Sequence, residues 1–369
     1  MKPRRNEEHE ESQSSLGLLR ALRLFVVKVF VPSLLCFDLG ETAMRRRQWH
    51  LAILLSALLG AYSAGLQAQS LHATATQVKE VAITIDDLPL NGSQFGIERL
   101  RAMTDKLLAA INKHQIPVVG FVNESLLYRP GETDARIALL QVWADGGVEL
   151  GNHTFSHLGF KDASLAAYED DFIRGDAVTR RLLKQKGQQP RYFRHPFLQM
   201  GRTQELEKSF ESFIAERGYQ IAPVTIDILD WMMLSAYANA RAQGDAEMLK
   251  RVSEEYLKFA ARKFDFCEQV AAELFGHAIK QILLLHANEL TAENLDGLAT
   301  LLKNKGYQFI SLEQALKDPV YRAPERYKDT SDWLSHWAFS KGKKFIAPMP
   351  ADFVQKPYLD NQKKVSPER

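Results

Sequence analysis

Two clusters about seventy residues apart hold the side chains best suited to chemistry. Asp86-Asp87 follow a β-branched apolar run, Val81-Ala82-Ile83-Thr84-Ile85, and His153-Thr154-Phe155-Ser156-His157 follow a second, Val148-Glu149-Leu150. A strand that ends in adjacent carboxylates sets acceptors at the open end of a sheet or barrel. The i,i+4 spacing of the two histidines places both imidazoles on one face of a helical turn. One carboxylate and two imidazoles make a three-ligand metal site with room for water, and the carboxylate left over is free to serve as a base. Each cluster also has a plain alternative. An Asp-Asp pair after a strand serves as a turn or helix cap, and surface histidines meet that spacing by chance.

The elements that must position these groups show in the pattern of apolar residues. Short apolar runs at 81–85, 118–122, 148–150, 192–193, 221–226, 282–285 and 308–310 read as strands. Between them Ile97, Leu100, Met103, Leu107, Leu108 and Ile111 have helical spacing, as do stretches near 134–145, 164–186, 203–217 and 294–304. Seven strands with crossover helices imply an α/β fold with a parallel sheet; a distorted parallel (β/α) barrel accommodates them, and a doubly wound open sheet is the alternative. More polar residues fall at strand ends, where barrel enzymes keep their chemistry: Arg194-His195-Pro196-Phe197, Asp227-Ile228-Leu229-Asp230-Trp231, and His286. Taken singly, Arg194 reads as a surface ion-pair residue, Asp230 as a helix N-cap and His286 as a core histidine. Independent accidents do not all land at one end of successive strands.

Composition is that of a globular chain: 369 residues, 46% hydrophobic and 25% charged, are enough for one large core or two modest ones. The formal charge of +2 includes nine Lys/Arg against six Asp/Glu in residues 1–47, a net +3, which leaves −1 for the rest. That balance gives no polybasic surface for nucleic acid or anionic lipid. Cys36 and Cys267 provide no internal disulfide framework, and Cys267 is expected to be a small buried hydrophobe. Met44-Arg45-Arg46-Arg47, the apolar run 51–66 and small residues through Ala68 read as a signal peptide over 44–68. Its apolar run is shorter than the roughly 20 residues of a comfortable membrane span. The expectation is export to the periplasm or beyond, with membrane contact only through this segment if it stays uncleaved. Residues 1–43 suit no targeting role, and translation is expected to start at Met44. A catalytic domain over 69–317, a helical insertion at 232–280 and an extended tail over 318–369 complete the outline.

Five ordered motifs, Thr84-Ile85-Asp86-Asp87, His153-Thr154-x-x-His157, Arg194-x-Pro196-Phe197, Asp227-x-x-Asp230-Trp231 and Leu284-x-His286, make the chain resemble the polysaccharide deacetylases of the NodB homology domain, carbohydrate esterase family 4. The resemblance implies a distorted β/α barrel and a divalent metal, usually zinc, on Asp87, His153 and His157; such ligands also accept cobalt, nickel or manganese. It implies Asp86 as general base with Arg194 positioning it, and His286 as general acid tuned by Asp230. Pro196, Phe197, Trp231 and Leu284 would line the substrate pocket, with a backbone N–H near Phe197 facing the oxyanion. The implied reaction is removal of N-acetyl groups from an amino-sugar glycan. An O-acetyl esterase on xylan-like sugars, an amidohydrolase on a small amide, and a non-catalytic carbohydrate-binding protein are the alternatives.

The chain departs from the family pattern where Leu88-Pro89 and Leu198 replace glycines, and both leucines are expected to fill space beside the metal and narrow the groove. The 232–280 insertion, with Tyr237, Tyr256, Phe259, Phe264 and Phe266, reads either as a wall over the sugar site or as a helical pair with a satellite core.

Overall fold

The computed structural model describes residues 78–91, 95–323 and 332–365. The expected signal segment and the stretch before it lie outside the described residues. Eight strands form one sheet with every pairing parallel: β1 (Lys79–Leu88), β2 (Val119–Val122), β3 (Glu149–Asn152), β4 (Tyr192–Phe193), β5 (Gln220–Ile221), β6 (Ile226–Asp227), β7 (Gln281–His286) and β8 (Tyr307–Phe309). The helices are α1 (Ile97–His114), α2 (Thr133–Asp145), α3 (Leu165–Arg174), α4 (Ala177–Gln185), α5 (Gln204–Ala215), α6 (Asp230–Ala242), α7 (Ala246–Phe275), α8 (Glu289–Asn304), α9 (Leu312–Ala315), α10 (Trp333–Ser340) and α11 (Asp352–Val365).

The strand order is β5-β4-β3-β2-β1-β7-β6, with β8 paired to the start of β1. Neighbours follow chain order around a ring and do not reverse at a switch point, as they would in a doubly wound sheet. The architecture is therefore the distorted parallel barrel. The single strand expected over 221–226 is two short ones, because Pro223 has no N–H to give a ladder. Before it, Gln220 and Ile221 pair with β4; after it, Ile226 and Asp227 pair with β7. Bonds from the Ala222 N–H to the Phe193 carbonyl (2.8 Å) and from the Thr225 N–H to the Ile282 carbonyl (3.0 Å) extend the two pairings toward the proline. The segment 220–227 thus bridges the last gap of the barrel by changing partners.

Alternation along the strands decides what reaches the barrel mouth. Val81, Ile83 and Ile85 pack outward with Trp143 and Tyr256 in the main core, while Ala82 joins Val119, Phe121, Tyr192 and Ile282 in the lumen. Burying one side chain such as Ile83 stabilises by about 1.5–3 kcal/mol. The lumen row of β1 runs Ala82, Thr84, Asp86, in register with Ile282, Leu284 and His286 of β7. Opposite β2 the register slips: Ile85 faces Gly120 but Leu88 faces Val122, and Asp87 between them is left-handed (φ 64°). Such a bulge re-aims side chains. Asp86 and Asp87 both line the cavity at the mouth, whereas Leu88, expected beside the metal, is fully buried in the main core, where it takes the space a side chain on Gly120 would need.

Three other segments differ from expectation. The helix anticipated over 164–186 is α3 and α4, divided at Gly175. The insertion is a helical pair, α6 and α7, but its Tyr237, Tyr256, Phe259 and Phe264 join the main core and form no satellite. The tail expected as extended holds α10 and α11, because Trp333, Leu334, Trp337 and Ala338 share a helical apolar face and Asp332 caps the Ser335 N–H at 2.9 Å. α10 packs on α7, and α11 packs on α6.

Candidate active site

Asp87 at the end of β1 meets His153 and His157 from the loop after β3, with one ligand atom from each lying within 4.8 Å of the others. His157 Nε2 is 3.6 Å and His153 Nε2 3.8 Å from Asp87 Oδ1. On two of the ligands the protein holds one polar atom and presents the other. Asn91 Nδ2 donates to Asp87 Oδ2 (3.0 Å), and His153 Nδ1 donates to the Arg194 carbonyl (2.8 Å), which fixes the ring and leaves Nε2 free. Asp87 Oδ1 is buried with no hydrogen-bond partner among the described residues. An unpaired buried polar group costs about 1–3 kcal/mol, which a cation between these side chains removes. The residues present fit a divalent metal. Burial, then the neighbouring His157 ring, lowers His153 to about 3, so its ring is neutral and its lone pair available.

The helical turn expected for 153–157 does not form, because its backbone donors are committed elsewhere. Thr154 (φ 65°) and His157 (φ 59°) are left-handed. The Thr154 N–H donates to Asn152 Oδ1 (2.7 Å) and the Phe155 N–H to the Asp171 carbonyl (2.9 Å). The Ser156 N–H and Oγ donate to the Asp171 carboxylate at 3.0 and 2.9 Å. The loop folds back against α3, and the two imidazoles meet edge-on with centroids 4.9 Å apart.

Two charge pairs flank this cradle. Arg194 is buried, not a surface residue: Nη1 stands 3.4 Å from both Asp86 oxygens, Nη2 donates to Thr84 Oγ1 (3.1 Å) and Nε to the Ala222 carbonyl (2.7 Å). Burial holds Asp86 above the ordinary carboxylate value, against the opposing pull of Arg194. His286 Nδ1 lies 2.8 Å from Asp230 Oδ1, whose partner oxygen accepts from the His286 N–H (2.8 Å), Asn288 Nδ2 (3.0 Å) and Thr291 Oγ1 (2.9 Å). Burial disfavours charge on both groups, but their mutual attraction outweighs it. His286 is pushed up to about 10, and Asp230 lies below its ordinary value.

A cavity of about 600 Å³ opens over Asp86, Asp87, His153, His157 and His286. Of the four residues expected to line the pocket, Phe197, Trp231 and Leu284 do. Pro196 does not: it is buried as the first residue of the turn Pro196–Leu198, whose entry its ring fixes. Phe197, left-handed (φ 56°) and exposed, packs edge-on to His157 at 4.4 Å. Leu198 lines the cavity and forms an apolar patch with Val224 and Leu284. Sequence reasoning noted His195 at a strand end without a role and missed Asn91, Lys263, Asp332 and Tyr358, all in the cavity wall. Asn91, a short polar side chain four residues beyond Asp87, was within reach of that reasoning. Lys263 comes from α7 and Tyr358, edge-on to Trp231 at 5.1 Å, from α11, and no local pattern marks which face of a distant helix turns inward.

Residues 73–210 match the family model described as polysaccharide deacetylase. This span holds the metal cradle and Arg194; Asp230 and His286 lie beyond it. A peptidoglycan-N-acetylglucosamine deacetylase of Bacillus cereus is 27% identical over 157 residues, 42% of this chain and 48% of that protein. The chain thus spans about half the length of the relative it matches. Among solved structures, a carbohydrate esterase family 4 pseudoenzyme of Bacillus anthracis is similar with a TM-score of 0.45 and 20% identity, covering 65% of this chain and 66% of that one. A family 4 carbohydrate esterase of Streptomyces lividans in complex with acetate has a TM-score of 0.41 and 20% identity, covering 64% and 95%.

Proposed function

With residues 73–210 matched to the polysaccharide deacetylase family, we propose that this chain is a metal-dependent hydrolase that removes N-acetyl groups from an amino-sugar glycan such as peptidoglycan, chitooligosaccharide or a surface polysaccharide. One observation carries the reading: the Asp87, His153 and His157 cradle lies between two separately held proton-transfer groups, Asp86 with Arg194 and His286 with Asp230.

A divalent cation, zinc by default for one carboxylate and two imidazoles, supplies Lewis acidity toward the acetamide carbonyl and a lowered pKa for water. Asp86 takes the proton as water attacks the carbonyl carbon, and Arg194 keeps that carboxylate aimed and ionised. His286, protonated at neutral pH, gives its proton to the departing amine nitrogen, a poor leaving group without it. Asp230 holds Nδ1 so that Nε2 is the donating atom. Leu198 and Leu284, which line the cavity and pack on Val224 behind them, offer the acetyl methyl an apolar seat.

Metal content and acetate release from N-acetylglucosamine oligomers test this in wild type, Asp86→Asn and His153→Ala. Asp86→Asn is expected to keep the metal and lose about 10²–10⁴-fold in kcat, while His153→Ala weakens binding of the metal itself. Equal loading and equal turnover in all three proteins would defeat the assignment. The 44–68 segment adds the proposal of export with cleavage after Ala68. N-terminal sequencing of the natural product should then read from Gln69, and an intact N-terminus beginning at or before Met44 would exclude it.

A further inference from the structure

We propose that Lys263 makes this cavity a site for acetylated amino sugars that carry a carboxylate, an inference that rests on the deacetylase reading and specifies its substrate. Lys263 belongs to none of the five motifs. The insertion between β6 and β7 brings it, on α7, to the wall of the cavity that holds the metal cradle, with its side chain only 6% exposed.

An ammonium has three N–H donors and accepts nothing. Among the described residues the one carboxylate oxygen within 4.0 Å of it is Asp332 Oδ2, at 3.9 Å, beyond hydrogen-bond reach. Asp332 is occupied elsewhere, its Oδ1 accepting from the Ser335 N–H (2.9 Å) and Oγ (3.1 Å) at the start of α10. Asp227, the other acid on this wall, accepts from the Leu229 N–H (2.7 Å) with one oxygen and from Trp231 Nε1 (3.3 Å) with the other. Burial holds Asp227 above its ordinary value, against the bond from the Leu229 N–H and the attraction of His286 and Lys263.

The Phe266 ring centroid lies 5.7 Å from Lys263 Nζ, but among the described residues no acceptor within hydrogen-bond reach pairs with this sequestered cation, which is costly to bury. A carboxylate delivered by the ligand supplies the missing acceptors through charge-assisted bonds, about twice as strong as neutral ones. With the acetamide placed at the cradle, the anion belongs to the same sugar ring or its neighbour. A lactyl ether and a uronic acid both present that group.

Calorimetry on the full chain measures binding of tetra-N-acetylchitotetraose, of an equally long oligomer bearing lactyl-ether carboxylates, and of one bearing uronic acid rings; acetate release is followed in parallel. Wild type should bind at least one carboxylate-bearing oligomer more tightly than the neutral one, and which of the two it prefers identifies the source of the anion. Lys263→Met and Lys263→Gln should each reduce that preference about ten-fold or more, and Lys263→Arg should retain it. The two uncharged variants are independent routes to a folded protein, with folding checked by circular dichroism. The same preference in wild type and the uncharged variants, or tighter binding of the neutral oligomer by wild type, overturns the proposal. A preference lost with Lys263 but no acetate release from any oligomer supports the anion site and sinks the deacetylase reading instead.

Discussion

Asp230 accepts from the Trp231 N–H (2.9 Å) at the start of α6, but most of its bonds go to β7 and the start of α8. Its charge governs the proton on His286. Burial disfavours charge on the ring, but Asp230, with smaller help from Asp87 and Asp86, raises His286 to about 10. The proposed mechanism requires Asp86 deprotonated and His286 protonated, so the rate should climb as pH passes the raised Asp86 value and fall as pH passes that of His286. Asp230→Asn keeps a hydrogen-bonding side chain but removes the charge. The alkaline limb of the kcat/KM profile is then expected to move down by about 1–3 pH units while the acid limb stays. An alkaline limb that does not move in acetate-release assays would remove His286 from the role of acid. At this scale the sequence was informative where carboxylates and imidazoles follow apolar runs directly. It was silent on Lys263, whose importance comes only from what stands beside it in space.

The loop that carries both histidines depends on α3 and on a glycine that ends it. A side chain at Gly175 would place its Cβ 2.3 Å from the Thr154 carbonyl carbon and 2.5 Å from the Phe155 nitrogen, and backbone atoms cannot step aside as a flexible side chain does. Gly175→Ala should destabilise by about 1–3 kcal/mol in urea unfolding and weaken zinc affinity through displaced His157. Lost stability with unchanged zinc affinity would mean that α3 does not seat the loop. The i,i+4 spacing found the right pair of histidines for the wrong local reason. Residues facing one another on a helical turn and residues folded together by a clamp such as Asp171 share a spacing, and only the tertiary partner separates them. The strand at 221–226 was found as a strand; that it serves two neighbours depends on Pro223 and on ring closure. The tail was misread because Pro and Lys punctuate it, while its helical apolar face is only eight residues long.

At the scale of the molecule, the elements outside the matched span complete the site. The insertion and the tail contribute Lys263, Asp332 and Tyr358 to a mouth whose candidate metal ligands come from β1 and the loop after β3. Among the described residues no helix is long and apolar enough to cross a membrane.

The changeover at Pro223 links assembly to competence. Ala222, which anchors the Arg194 guanidinium through its carbonyl, sits on the short span that joins the two ends of the ring. A break in that span would leave Asp87, His153, His157 and His286 on elements already paired to one another, since β7 lies in register along β1, but would loosen the anchor of the guanidinium that aims Asp86. On the proposed reading such a molecule would still hold a metal but turn over poorly, so metal content alone would overcount working enzyme in an incompletely folded preparation.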